Sequence, residues 1–258
     1  MKTNLNEKEI AALKNLLFRM ADDELIIGHR NSEWTGLGPV LEEDIAFSSM
    51  AQDKLGHAQA FYNLLNELGE KDADRLAFGR NAAKFLNSQF TEYPNDDYAF
   101  SLMRHYLFDS AEYLRFENLR ESSYKSLSDA VKKFYGEVKY HVMHADIWLK
   151  QLGKGNAESN LRMQKALEMC MPLSLGIFEP SEYEDILISS SLFEGEKVLQ
   201  EKWFARISVE IQTSGLTMSD ISLIKPAYGG RKGIHTEHLQ PLLDEMAEVY
   251  NIDPEAEW

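Results

Sequence analysis

A chain of 258 residues is long enough to bury a substantial core. Its 27 Lys and Arg against 42 Asp and Glu leave a formal charge of −15, which argues against a global electrostatic footprint for nucleic acid. Seven Pro and 15 Gly are few for this length and favour long helices over a loop-rich all-β fold.

Apolar residues at three-to-four spacing predict a first helix over 7–29, marked by Leu13, Leu16, Leu17, Met20 and Ile27. Two Gly and one Pro between Asn31 and Pro39 break it. A second helix runs over about 42–68 and stops at Gly69. Residues 72–91 read as short, irregular helical pieces. Pro94 and Asn95 open a third long helix reaching about Ser122, and Ser126 or Ser128 caps a fourth that ends at Gly153. A further helix over 157–171 is stopped by Pro172, the stretch 173–192 has no clear period, and 195–213 and 236–250 are again helical. No alternating strand pattern of useful length appears. The fold class is all-α: a single domain over 1–258, with a ferritin-like up-down four-helix core over about 7–153 and a C-terminal helical extension over about 155–258.

An internal repeat supports that core. Residues 53, 57, 65, 68 and 69 match 137, 141, 149, 152 and 153 at a constant offset of 84. Each copy holds a His with an acid four residues earlier, Asp53/His57 and Glu137/His141, and side chains at that spacing share a helix face. On the helix preceding each, Glu24 lies 33 residues before His57 and Asp109 lies 32 before His141. Carboxylate-bridged di-iron bundles use a Glu-x-x-His pair from two helices and one carboxylate from each of the others. Here the Glu positions hold Lys54 and Val138, and neither an ammonium nor an isopropyl group binds iron.

Asp53 and Glu137 are therefore read as groups that orient the histidine rings. Two readings stay open for Lys54: a solvent-facing lysine, or, with His57 facing inward, an ammonium turned the same way toward Glu24 and Asp109. A buried ammonium needs partners, and in the second reading Lys54 takes the electrostatic place of a metal cation. Within Asp22-Asp23-Glu24 a run of acids suggests a solvated face, with Glu24 as its inward member. His144 and Asp146 read as surface or inter-helix contacts. The single cysteine, Cys170, forbids an internal disulfide and a Cys₄ cluster, and reads as a small buried residue of a cytoplasmic protein. The opening residues lack the apolar core of a signal peptide, and no apolar run approaches the roughly 20 residues of a membrane span.

Near the C-terminus stands Tyr228-Gly229-Gly230-Arg231-Lys232-Gly233-Ile234-His235-Thr236-Glu237-His238, with Thr236 as a helix N-cap. Two readings stay open for it: an anion or phosphate contact through Arg231 and Lys232, or an ordered loop docked on the bundle or a partner. It lacks P-loop spacing, and His235 with His238 is a weak metal pair.

These residues together resemble the ferritin-like PaaA/PaaC family of the bacterial multicomponent phenylacetyl-CoA oxygenase (ring 1,2-epoxidase), on its PaaC side. The likeness is carried by Ser32-Glu33-Trp34, Asp53-Lys54-Leu55-Gly56-His57, Phe108-Asp109, Tyr140-His141, Leu152-Gly153-Lys154-Gly155 and above all Gly229 to Leu239. It implies a non-catalytic structural subunit of phenylacetate catabolism that scaffolds the homologous catalytic subunit, PaaA. PaaA would hold the di-iron site, a reductase would bring electrons from NADPH, and this chain would hold no metal or other cofactor. Arg231 and Lys232 would make any CoA phosphate contact. In isolation a homo-oligomer remains open. The rivals are a metalloenzyme with one non-haem metal on Glu24, His57, Asp109 and His141, and a free-standing ligand-binding bundle.

Overall fold

The computed structural model describes residues 5–256, and these form helices and connecting segments with no strand among them. Ten α-helices follow in order: α1 Glu7–Ser32, α2 Leu41–Glu67, α3 Ala73–Phe78, α4 Gln89–Glu92, α5 Tyr98–Leu119, α6 Lys125–Gly153, α7 Ala157–Ser174, α8 Glu184–Ser189, α9 Glu196–Thr213 and α10 Leu239–Met246. The pairs α1/α2 and α5/α6 are helical hairpins, and α2 packs on α6. This all-helical arrangement is consistent with a ferritin-like bundle. No helix of the described residues is long and apolar enough to cross a membrane.

Helix starts follow capping chemistry. Asn6 and Glu9 form a reciprocal capping box on α1. The sequence places the start of α5 at Pro94 and Asn95, but Asp97 is the cap, accepting from the Phe100 amide. Asn95 instead donates to the Arg30 carbonyl at 2.7 Å. Neither Ser126 nor Ser128 caps α6; the Ser128 hydroxyl donates to the Arg120 carbonyl at 2.6 Å, tying α6 to the end of α5.

Two helix ends also differ from expectation. The helix α7 runs through Pro172 to Ser174 and then tightens to a 3₁₀ turn over Leu175–Phe178. Proline near a helix end removes only one amide donor, and the 3₁₀ turn takes up the following groups. The helix expected over 236–250 is shortened to α10, because Thr236 is bound to Glu92 instead of capping it.

The central element is α5, buried on nearly every side from Ala99 to Glu112. One apolar cluster runs from Ala12 on α1 to Leu243 on α10. Trp203 of α9, fully buried, donates its indole N–H to the Leu107 carbonyl of α5 at 2.9 Å. The C-terminal helices thus share the core of the first six. Gly28 sets the spacing of the first hairpin: a Cβ there would lie 3.1 Å from Lys54 Cβ and 3.3 Å from the Leu55 side chain.

Candidate functional site: a buried ion network

Lys54 lies on α2 with no exposed surface, at the level where α1, α2, α5 and α6 converge. Its Nζ is 2.6 Å from Asp109 Oδ1 and 3.4 Å from Glu24 Oε2, and it also contacts the Glu112 carboxylate. The Phe108 ring closes the far side, its centroid 5.0 Å from Nζ. Burial works against the ammonium, but Asp109 and then Glu24 outweigh it and hold the Lys54 pKa above the ordinary lysine value. Asp109 behaves reciprocally: burial works against its anion, yet Lys54, His105 and His141 hold it well below the usual carboxylate range.

Around this centre the histidines pair across helices. His57 Nδ1 is 3.2 Å from Glu24 and its Nε2 is 2.8 Å from Glu137. Both nitrogens face carboxylates, so a neutral ring can donate to only one of them. His141 Nε2 is 3.0 Å from Asp53, and its Nδ1 is 4.0 Å from Asp109. The i,i+4 partnerships expected within each helix, Asp53 with His57 and Glu137 with His141, are therefore replaced. The packing of α2 on α6 sets each copy's acid opposite the other copy's histidine. Asp53 and Glu137 are the solvent-touching ends of the network, with side chains 30% and 45% exposed.

The acid run Asp22-Asp23-Glu24 is not a solvated face: all three residues are buried. Asp22 binds Arg80 and accepts from the Tyr62 hydroxyl and the Leu86 amide. Asp23 binds Arg231 at 2.7 Å and accepts from the Ser88 amide. Each acid meets a cation from a different segment. Nothing in α1 itself signals this, because Arg80 and Arg231 arrive from distant sequence.

Arg231 is likewise corrected as a candidate CoA contact. Its guanidinium is buried against Asp23 and donates to the carbonyls of Arg19, Leu86 and Ile177 at 3.0–3.3 Å. No donor is left facing solvent for a phosphate. Lys232 does project outward, with Nζ 3.4 Å from Glu179. The surrounding string is a clasp on the segment 82–92. A Cβ on Gly230 would lie 2.3 Å from the Asn87 carbonyl oxygen, and Gly233 adopts φ 74° against Ala83. His235 and Thr236 both bind the Glu92 carboxylate.

Several members were missed in the sequence. Glu112 is three residues after Asp109 and His105 four before it, so both share the Asp109 face and were legible by the same spacing. His144, read as a surface or inter-helix contact, is the latter, 2.9 Å from Glu43 with only 8% of the residue exposed. The pair Arg115–Glu196, bidentate at 2.8 and 3.0 Å and joined by Arg19, carried no sequence signal.

Glu24, His57 and Glu112 each bring a donor atom within 4.8 Å of the others, a set able to hold one metal ion. The same two carboxylates are bound by Lys54, whose charge opposes a divalent ion in that place. With Val138 at the second Glu position, the residues do not fit a di-iron pair. A cavity of about 20 Å³ lies beside this network, lined by Asp23, Glu24, Glu112 and Arg115 among others. That is the room of one water molecule and far too small for an acyl-CoA.

The family model described as phenylacetic acid catabolic protein matches residues 1–258. The chain is also similar to PaaC of the 1,2-phenylacetyl-CoA epoxidase of Escherichia coli (strain K12). They are 32% identical over 241 residues, which is 93% of this chain and 96% of that protein.

Proposed function

The chain belongs to the phenylacetic acid catabolic protein family, and from that premise we propose that it is a non-catalytic structural subunit of a phenylacetyl-CoA 1,2-epoxidase. It scaffolds a homologous di-iron catalytic subunit, PaaA, in a cytoplasmic complex that also draws electrons through a reductase. The observation that carries this reading is Lys54. An ammonium neutralises the carboxylates that would otherwise gather metal, and the cavity beside Glu24 and Glu112 has room for about one water. The interior keeps the geometry of a metal bundle while its charge balance is met by protein groups.

The test is reconstitution. This chain, PaaA, the remaining subunits and the reductase are assembled with NADPH, O₂ and phenylacetyl-CoA. The reading expects epoxide only when PaaA is present, loss of activity when this chain is omitted, and no turnover by this chain with the reductase alone. Activity from PaaA without this chain would contradict it.

A second reading, a mononuclear metalloenzyme, is favoured by one observation, the proximity of Glu24, His57 and Glu112. It requires Lys54 to leave those carboxylates, and turnover without PaaA would establish it.

A further inference from the structure

Away from the ion network, α2 and α3 border an open groove of about 440 Å³. Leu25, Ala58 and Tyr62 are the buried residues of its lining, Gly56 opens its α2 wall, and Ala77 and Phe78 belong to its α3 wall. Gly56 stands in the middle of α2, where glycine costs about 1 kcal/mol relative to alanine. Packing within the fold does not demand it. A Cβ at Gly28 would lie 3.1 Å from Lys54 Cβ, whereas a Cβ at Gly56 would meet nothing within 4 Å. The missing side chain leaves room for a group that arrives from outside the helix pair.

Polarity narrows what that group is. Asp74 is the sole charged residue lining the groove, and Gln52 and Gln59 add amides, so an anionic ligand finds no Lys or Arg there. An apolar ring with one N–H donor matches this lining, because carboxylate and amide oxygens accept and the remainder is apolar. The chain itself brings such a ring to the spot. Glu255 Oε1 is 2.7 Å from Arg75 Nη2 on α3, and the Tyr250 ring lies against Phe78 with centroids 5.7 Å apart. Ala256 is the last described residue, and Glu257 and Trp258 follow it. Two residues of extended chain span about 7 Å, which puts Trp258 within reach of the α3 wall.

We infer that the α2–α3 groove is the docking site of Trp258, whose indole covers Leu25, Ala58 and Tyr62 and ties the end of the chain to the first hairpin. The test is tryptophan fluorescence of the full chain, with the spectrum of Trp258→Phe subtracted so that Trp34, Trp148 and Trp203 cancel. In wild type the Trp258 emission should be blue-shifted from that of a solvent-exposed indole, shielded from acrylamide and unchanged on dilution. Gly56→Leu suits a helix and fills the groove from the α2 side. With Gly56→Leu/Trp258→Phe as its own reference, it should move that emission to the red and expose it to acrylamide, while thermal unfolding checks that it is folded. A solvent-exposed Trp258 in wild type would overturn the inference, as would an emission unmoved in folded Gly56→Leu. Shielding lost on dilution would give the groove to Trp258 of a second copy and also overturn it.

Discussion

An ammonium 2.6 Å from Asp109 and shared with Glu24 and Glu112 has no surface exposed to solvent. Removing one partner from such a group is costly because the remaining charges stay buried. Lys54→Met should therefore lower unfolding free energy by about 3–5 kcal/mol in denaturant titrations. A loss below about 0.5 kcal/mol, the range of surface substitutions, would show that Lys54 is not holding these carboxylates. The histidines set the acid side. Burial holds His141 and His144 below the ordinary histidine value, outweighing Asp53 and Glu43. A depressed histidine pKa means that the unfolded chain binds the proton more readily. Its stabilising contribution is thus present above the ordinary histidine value and lost as pH falls from there through the depressed folded value. Stability should drop as pH falls below about 6.5, and His144→Gln should flatten part of that drop. A stability curve flat below that pH would refute the assignment. Lys54, with its raised pKa, acts at the other end, its contribution fading only as pH rises above the ordinary lysine value.

At the scale of elements, close approach replaces charge as the deciding quantity. Gly28 allows α1 to rest against α2 beside Lys54, so Gly28→Val should cost about 1–3 kcal/mol through overpacking. Unfolding midpoints unchanged from wild type would show that the hairpin has slack there. The clasp Gly229–His238 makes a comparable demand. Arg231→Met strands Asp23, and the expected loss is about 3–5 kcal/mol of stability rather than of any ligand affinity. The long helices were legible because their apolar period is regular and their stops carry glycine, as at Gly69. Their starts were less so, since Asp97 competes with Pro94 and Asn95 for the cap and only the Phe100 amide decides it. In the clasp the residues announced themselves, but not their purpose. Gly, Arg and Lys together suit a phosphate and a buried carboxylate equally well.

Across the whole molecule, the 84-residue repeat exposed the site because it is written in identity and spacing. What it could not show is the exchange of partners between copies. Spacing within a helix favours Asp53 with His57, and only the packing of α2 on α6 turns each acid to the opposite histidine. The same limit hid the burial of Asp22 and Asp23, whose cations are supplied by residues 80 and 231. In the whole network, ammonium and guanidinium groups stand against carboxylates where a metal bundle would use metal charge. This is the central claim, and metal content per chain tests it most directly. Elemental mass spectrometry on the chain produced alone in iron- and manganese-supplemented medium should find far less than one equivalent. Close to one equivalent, lost in His57→Ala, would contradict it.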